Sequence, residues 1–170
     1  MATATGRRRR AYTAAAVSTK AREAIADWMM LLSGPILFGS LFLTWSHQFS
    51  RSFLAQYGGS AALRSVPHDP TAWQLYSAAD VMLALLAAAL VGAALRGTRN
   101  FRLALVLPLA VAVAFTLHAL TAPPTNGADI FNSVLGRYAA DSPSSGGGEI
   151  TALLGLVIGS VGVLLSFTAD

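Results

Sequence analysis

The chain has 170 residues, of which 54% are hydrophobic and only 12% charged, with a net charge of +4 and no cysteine. Soluble domains carry about 25% charged residues; here the deficit falls in blocks, which is the pattern of membrane spans rather than of a soluble core. The absence of cysteine excludes disulfides, thiol nucleophiles and cysteine metal sites from this sequence.

Four apolar runs set the expected fold. It is all-α, a four-span transmembrane helical bundle with two short amphipathic helices in the outer loops. Residues 1–19 read as a disordered basic tail and residues 20–168 as one membrane domain, with spans at about 28–46, 76–95, 103–121 and 150–167. With four spans, the tails and the middle loop share one side. That side holds nine basic residues (Arg7–Arg10, Lys20, Arg22, Arg96, Arg99, Arg102) against three on the other (Arg51, Arg64, Arg137). The positive-inside rule then puts both termini in the cytoplasm of a multi-pass cell-membrane protein. The Arg7–Arg10 run could bind nucleic acid or a protein. A topogenic cluster leaning on anionic lipid headgroups is the simpler reading, so no nucleic-acid partner is expected.

The first span, Trp28 to Ser46, carries a tryptophan at each end, Trp28 and Trp45, as interfacial aromatics would be placed. It is too long for a signal-peptide core and no A-x-A-like site follows, so it reads as retained. Pro35 after Gly34 is a kink candidate. In the first outer loop, Phe49, Phe53, Leu54 and Tyr57 share one helical face, which predicts a short helix on the membrane surface ended by Gly58-Gly59. Asp69 as N-cap and Pro70 at the first helical position predict the start of the second helix, with Trp73 and Tyr76 marking its entry into the membrane.

The turn from Arg96 to Arg102 makes the second and third spans antiparallel neighbours. The third contains Pro108 and His118 and is stopped by Pro123-Pro124. In the second outer loop, Ile130, Phe131, Val134, Leu135 and Tyr138 form another apolar face, and Ser142 to Gly148 reads as a flexible linker. FLAQY at 53–57 and VLGRY at 134–138 share a pattern that hints at an internal repeat, though chance similarity explains it as well. Along the fourth span, Ala152, Gly155, Gly159, Gly162 and Ser166 step by 3, 4, 3 and 4. Such a stripe of small residues lets another backbone approach closely; a seam within the bundle is preferred to a homodimer face.

Two span residues could carry chemistry. Asp80 and His118 lie near the outer ends of neighbouring spans, at similar depth. An isolated carboxylate in hydrocarbon costs several kcal/mol, so a pairing of Asp80 with His118 is expected, as a structural clasp first and as a cation-handling site second. Haem ligation by His47 and His118, or metal binding by His47, His68 and Asp69, is the weaker alternative, so no cofactor is expected. No nucleophile elbow, HExxH or spaced carboxylate pair is present, which argues against hydrolase chemistry.

Three stretches carry a resemblance: LFLTWS at 41–46, TAWQLYSAAD at 71–80 and GGGEITALLGLVIGSVG at 146–162. With the four-span layout, they resemble the small four-helix membrane proteins common in high-GC Gram-positive bacteria. That resemblance implies the fold but transfers no residue role, because no activity is attached to the group. Claudin-type tetraspans share the layout only, since their paired loop cysteines are missing. The functional expectation is a non-enzymatic membrane scaffold or accessory subunit of a larger membrane complex, in contact with lipid and with a larger membrane protein or a second copy of itself. The alternative is a small oligomeric ion or solute conduit using Asp80 and His118.

Overall fold

The computed structural model of the protein describes residues 4–60, 63–123 and 144–168. In chain order the elements are α1 (Ala4–Ser40), β1 (Ser46–His47), α2 (Arg51–Tyr57), a 3-10 turn (Leu63–Ser65), α3 (Ala72–Leu75), α4 (Ser77–Arg96), α5 (Arg99–Thr121), β2 (Ser144–Ser145) and α6 (Gly147–Thr168). The all-α expectation holds, apart from two strands of two residues. Three helices, α4, α5 and α6, are long and apolar enough to cross a membrane, with 20, 23 and 22 residues. At 1.5 Å per residue they reach about 30–35 Å, the thickness of a hydrocarbon core.

The expected first span differs. α1 is a single helix of 37 residues that begins at Ala4 and stops at Ser40, six residues short of the expected end. It is not one of the three apolar helices among the described residues. Residues 4–19, expected to be disordered, form its first part; alanine is the strongest helix former and five alanines fall from Ala4 to Ala16. At the other end the helix tightens. Leu41, Phe42 and Leu43 donate to Phe38, Gly39 and Ser40 at 3.1–3.2 Å, each to the carbonyl three residues back. The chain then runs extended.

That extended segment organises one end of the molecule. Trp45 N–H donates to Pro70 O (3.0 Å) and Gln48 N–H to His68 O (3.1 Å), while Thr44 bridges Thr71. On the other side, Ser46 pairs with Ser145 and His47 with Ser144, antiparallel. Gly146 N–H donates to Trp45 O (2.9 Å) and Gly148 N–H to Thr44 O (2.7 Å). Residues 44–48 are thus plaited between 67–71 and 144–148, forming a cap across the end of the bundle. The expected linker Ser142–Gly148 is, over its described part, a strand and the first turn of a helix. Trp45, expected at a membrane interface, is fully buried beneath the cap, whereas Trp28 is exposed.

The second helix also starts differently. Asp69 does not cap it; Asp69 accepts from the His47 ring at 2.6 Å. Thr71 is the N-cap, and its N–H donates to the Gln74 side chain (3.0 Å). After one turn the helix breaks at Tyr76 (φ −137°, ψ 60°), and α4 begins at Ser77. The loop helix α2 is present, capped by Ser50, whose hydroxyl accepts from Phe53 N–H (3.2 Å). Its apolar side does not lie open for a membrane surface: Phe49, Phe53 and Leu63 form a buried cluster, with Leu54, Tyr57 and Val66 against it. The expected surface helix around Ile130–Tyr138, and with it the comparison of FLAQY and VLGRY, lies outside the described residues.

Packing follows the buried stripes. α6 buries Ala152, Gly155, Gly159, Gly162 and Ser166, the whole seam, and packs chiefly on α1. A Cβ on Gly155 would stand 3.0 Å from Leu37 N, and one on Gly162 would stand 3.0 Å from Ala26 O. The small residues are therefore used within the chain to bring two backbones together. α1 also packs on α4. α5 packs on α6 through Leu105, Leu109, Ala112, Thr116 and Ala119. Although α4 and α5 are joined by only Gly97 and Thr98, they touch each other far less than α4 touches α1 or α5 touches α6. The bundle is tight on three sides and loose on the fourth.

Candidate sites at the capped end and along the α4–α5 face

Asp80 lies in the first turn of α4, on the stripe Asp80, Leu83, Ala87 and Leu90 that faces the bundle. It is fully buried, and neither carboxyl oxygen finds a hydrogen-bond partner among the described residues. His118 does not supply one. The buried stripe of α5 passes through Thr116 and Ala119, and His118 is turned outward, exposed. One residue is about 100° of rotation on a helix, so matching depth did not mean matching face. The Asp80–His118 clasp expected from the sequence is not formed.

A second acid, assigned from sequence to the outer loop, shares the buried end. Glu149 is in the first turn of α6, fully buried, with both carboxyl oxygens lacking a side-chain partner. At the third position of a helix, a glutamate can reach back to the amide of its N-cap residue. Here that amide, Gly146 N–H, donates to Trp45 O at 2.9 Å and is shared between the cap and the acid. One sequence signal was available: a glutamate that follows three glycines and directly precedes an apolar run is a helix-start residue rather than a loop residue.

The Tyr76 phenol stands within electrostatic reach of both Glu149 and Asp80. It is placed by the break between α3 and α4 and by two aromatic neighbours. Its ring meets Phe115 edge-on at 5.0 Å and Trp45 at 6.3 Å, and Trp45 lies 6.4 Å from Phe115. Trp45 is fixed in turn by its indole N–H, which donates to Ser40 O (2.9 Å). Both acids begin helices that enter the bundle from the capped end, so the positive helix termini favour their charge in part. At α6 the Gly146 amide adds to this for Glu149, while no backbone group does so for Asp80.

The remaining candidates are dispersed. His47 is bonded to Asp69 on the exposed side of the cap, while the His68 ring packs edge-on against Phe49 at 5.9 Å. His47 and His118 are not brought together, and among the described residues no group of three His, Asp or Glu side chains could hold a metal ion.

A different feature occupies the loose side. Between α4 and α5 runs an apolar cleft of about 260 Å³, lined by Ala79, Met82, Leu83 and Leu86 on one wall and by Pro108, Val111, Ala112 and Phe115 on the other. Phe115 separates it from Tyr76. Around the cleft, Met82, Leu85, Leu107 and Val111 are strongly exposed.

An exposed apolar belt on three spanning-length helices is the surface of a multi-pass membrane protein. No protein-family model, curated protein or solved structure matches the chain.

Proposed function

We propose that the protein is a non-enzymatic scaffold or accessory subunit of a larger membrane complex, seated in the cell membrane with both termini in the cytoplasm. α1 then makes a fourth crossing beside α4 and α6, as in the small four-helix proteins the sequence resembles. Its outward residues Trp28, Leu32, Phe38 and Phe42 support this, being large, apolar and exposed. The basic residues of the tail and of the α4–α5 turn support the orientation.

One observation carries the partner reading: the α4–α5 cleft is open and apolar, whereas the small-residue seam is already used inside the chain. The occupant we assign is an apolar transmembrane helix of a partner protein. Within hydrocarbon only a helix satisfies its own backbone, so a protein segment entering this cleft is helical. Arg96 is exposed two heptads from Met82 on nearly the same face of α4, so a carboxylate at the cytoplasmic end of the partner helix would complement it.

Photo-crosslinking tests this. A photoreactive residue at Met82 or Val111 in native membranes should give one discrete protein adduct, and the same probe at the lipid-facing position Leu154 should give none. Adducts to lipid alone at all three positions would remove the partner reading.

A further inference from the structure

We propose that the pocket at the arginine end of the bundle binds a phospholipid headgroup that carries both a phosphate and a primary ammonium, as phosphatidylethanolamine does. This is independent of what fills the α4–α5 cleft, and it holds in whichever leaflet that end lies.

The pocket has a volume of about 100 Å³ and is lined by Glu23 of α1, Gly97 of the turn, Arg99 and Arg102 of α5, and Ser166 and Phe167 of α6. Sites for drug-sized ligands run to about 300–1,000 Å³, so this one takes a small polar group. Arg99 and Arg102 are three residues apart on one helix and so share a face. A guanidinium presents its N–H donors in a fixed fork that matches phosphate oxygens. Asp27 takes one N–H of Arg102 at 2.7 Å, while the buried Nε–H of the same side chain has no partner among the described residues. The Ser166 hydroxyl donates to Val163 O (2.6 Å), which leaves the arginines as the side-chain donors of the pocket. α5 starts beside Gly97, and its positive terminus also favours an anion there.

The pocket is not purely basic, and that selects among headgroups. Glu23 adds a carboxylate to the lining, and α6 brings its negative terminus through Ser166 and Phe167. A bare anion meets both of these as repulsion. A primary ammonium next to the phosphate turns them into partners, and its N–H groups can donate to the carboxylate, which a quaternary choline cannot do.

The surroundings set the pocket at headgroup depth. A few residues along each helix, the surface changes to large exposed apolar side chains: Ile25 and Trp28 follow Glu23 on α1, while Phe101 and Leu103 flank Arg102 on α5. An exposed tryptophan at the border between charged and apolar surface marks a membrane interface. Basic pockets between helices at that level are where lipid headgroups bind.

The test is thermal unfolding of the full chain in mixed micelles that contain phosphatidylethanolamine, phosphatidylglycerol or phosphatidylcholine, with soluble phosphoethanolamine as a fourth arm. Wild type is set beside Glu23→Gln and Arg99→Gln, both at exposed positions. A ligand that binds only the folded state stabilises it by mass action. In wild type, phosphatidylethanolamine should raise the midpoint by about 3–6 °C for each tenfold rise above its dissociation constant, and more than either other lipid does. Glu23→Gln should abolish the preference over phosphatidylglycerol, and Arg99→Gln should weaken the response to all three lipids. A wild type that responds equally to the three lipids, or best to one of the other two, overturns the proposal. So do variants that respond as wild type does, and so does a response to soluble phosphoethanolamine with none to the lipid.

Discussion

The two ends of the bundle treat buried charge in opposite ways. At the arginine end, Arg102 reaches across 75 positions of sequence to Asp27 and meets it at 2.7 Å, with its guanidinium largely buried. At the capped end, Asp80 and Glu149 are more deeply buried and have no such partner among the described residues. The difference lies in what each end is built from. The arginine end is a two-residue turn flanked by helices whose arginines have long side chains that can swing to a partner. The capped end is extended backbone that satisfies its own amides strand to strand. Charge at one end is closed by an ion pair within the chain; at the other no described cation meets it.

Mutations can break or sharpen this contrast. The largest effect is expected at Trp45, which holds the cap to the bundle: Trp45→Ala should destabilise by about 3–5 kcal/mol in thermal or denaturant unfolding, through the cavity left beside Tyr76 and Phe115. The seam that ties both ends together comes next. A Cβ on Gly159 would stand 2.9 Å from Ser33 Oγ and 3.2 Å from Leu90 Cδ1, so Gly159→Leu should cost about 3 kcal/mol by overpacking. If it instead altered only the oligomeric state on size-exclusion chromatography, the seam would be an interface between copies.

Arg102→Ala leaves Asp27 without its partner. Because Asp27 is one-third exposed, the expected loss is about 1–2 kcal/mol, less than for a fully buried pair. His47→Ala breaks a pair that is half exposed on both sides and should cost at most about 0.5 kcal/mol. The smallest effect is the sharpest test. Asp80→Asn removes a carboxyl that has no partner to lose, so its unfolding free energy should match wild type within about 0.5 kcal/mol at low pH, where the acid is neutral, and exceed it as the pH rises. A loss as large as that of Arg102→Ala would make the two ends alike.

Much of the helical frame was legible because hydropathy and periodicity are local. The spans expected at 76–95, 103–121 and 150–167 fall inside or within one residue of α4, α5 and α6, and the 3, 4, 3, 4 stepping of the seam read directly as a buried stripe. The candidate site was half legible. Asp80 stood out as a carboxylate in an apolar run. Its partner was misjudged because depth along a helix is readable from sequence, whereas the face that a distant helix turns toward it is not: His118 is next to Ala119 in sequence yet on the outside of α5. Glu149 was passed over because its boundary position between loop and helix is set by strands from elsewhere in the chain.

The sequence by itself determined an all-α chain, three of its four expected spans, the small-residue stripe of α6 and the concentration of basic residues in the tail and one turn. Each is a property of neighbouring residues. Only the tertiary structure decided that α1 stops at Ser40, that Trp45 goes inside rather than to an interface, that the helix before α4 breaks at Tyr76, and that Asp80 and Glu149 are each fully buried. These all depend on backbone bonds from residues 44–48 to segments more than twenty and about a hundred positions away. Bonds of that range leave no periodic mark in the sequence, because extended backbone pairs through amides that every residue carries.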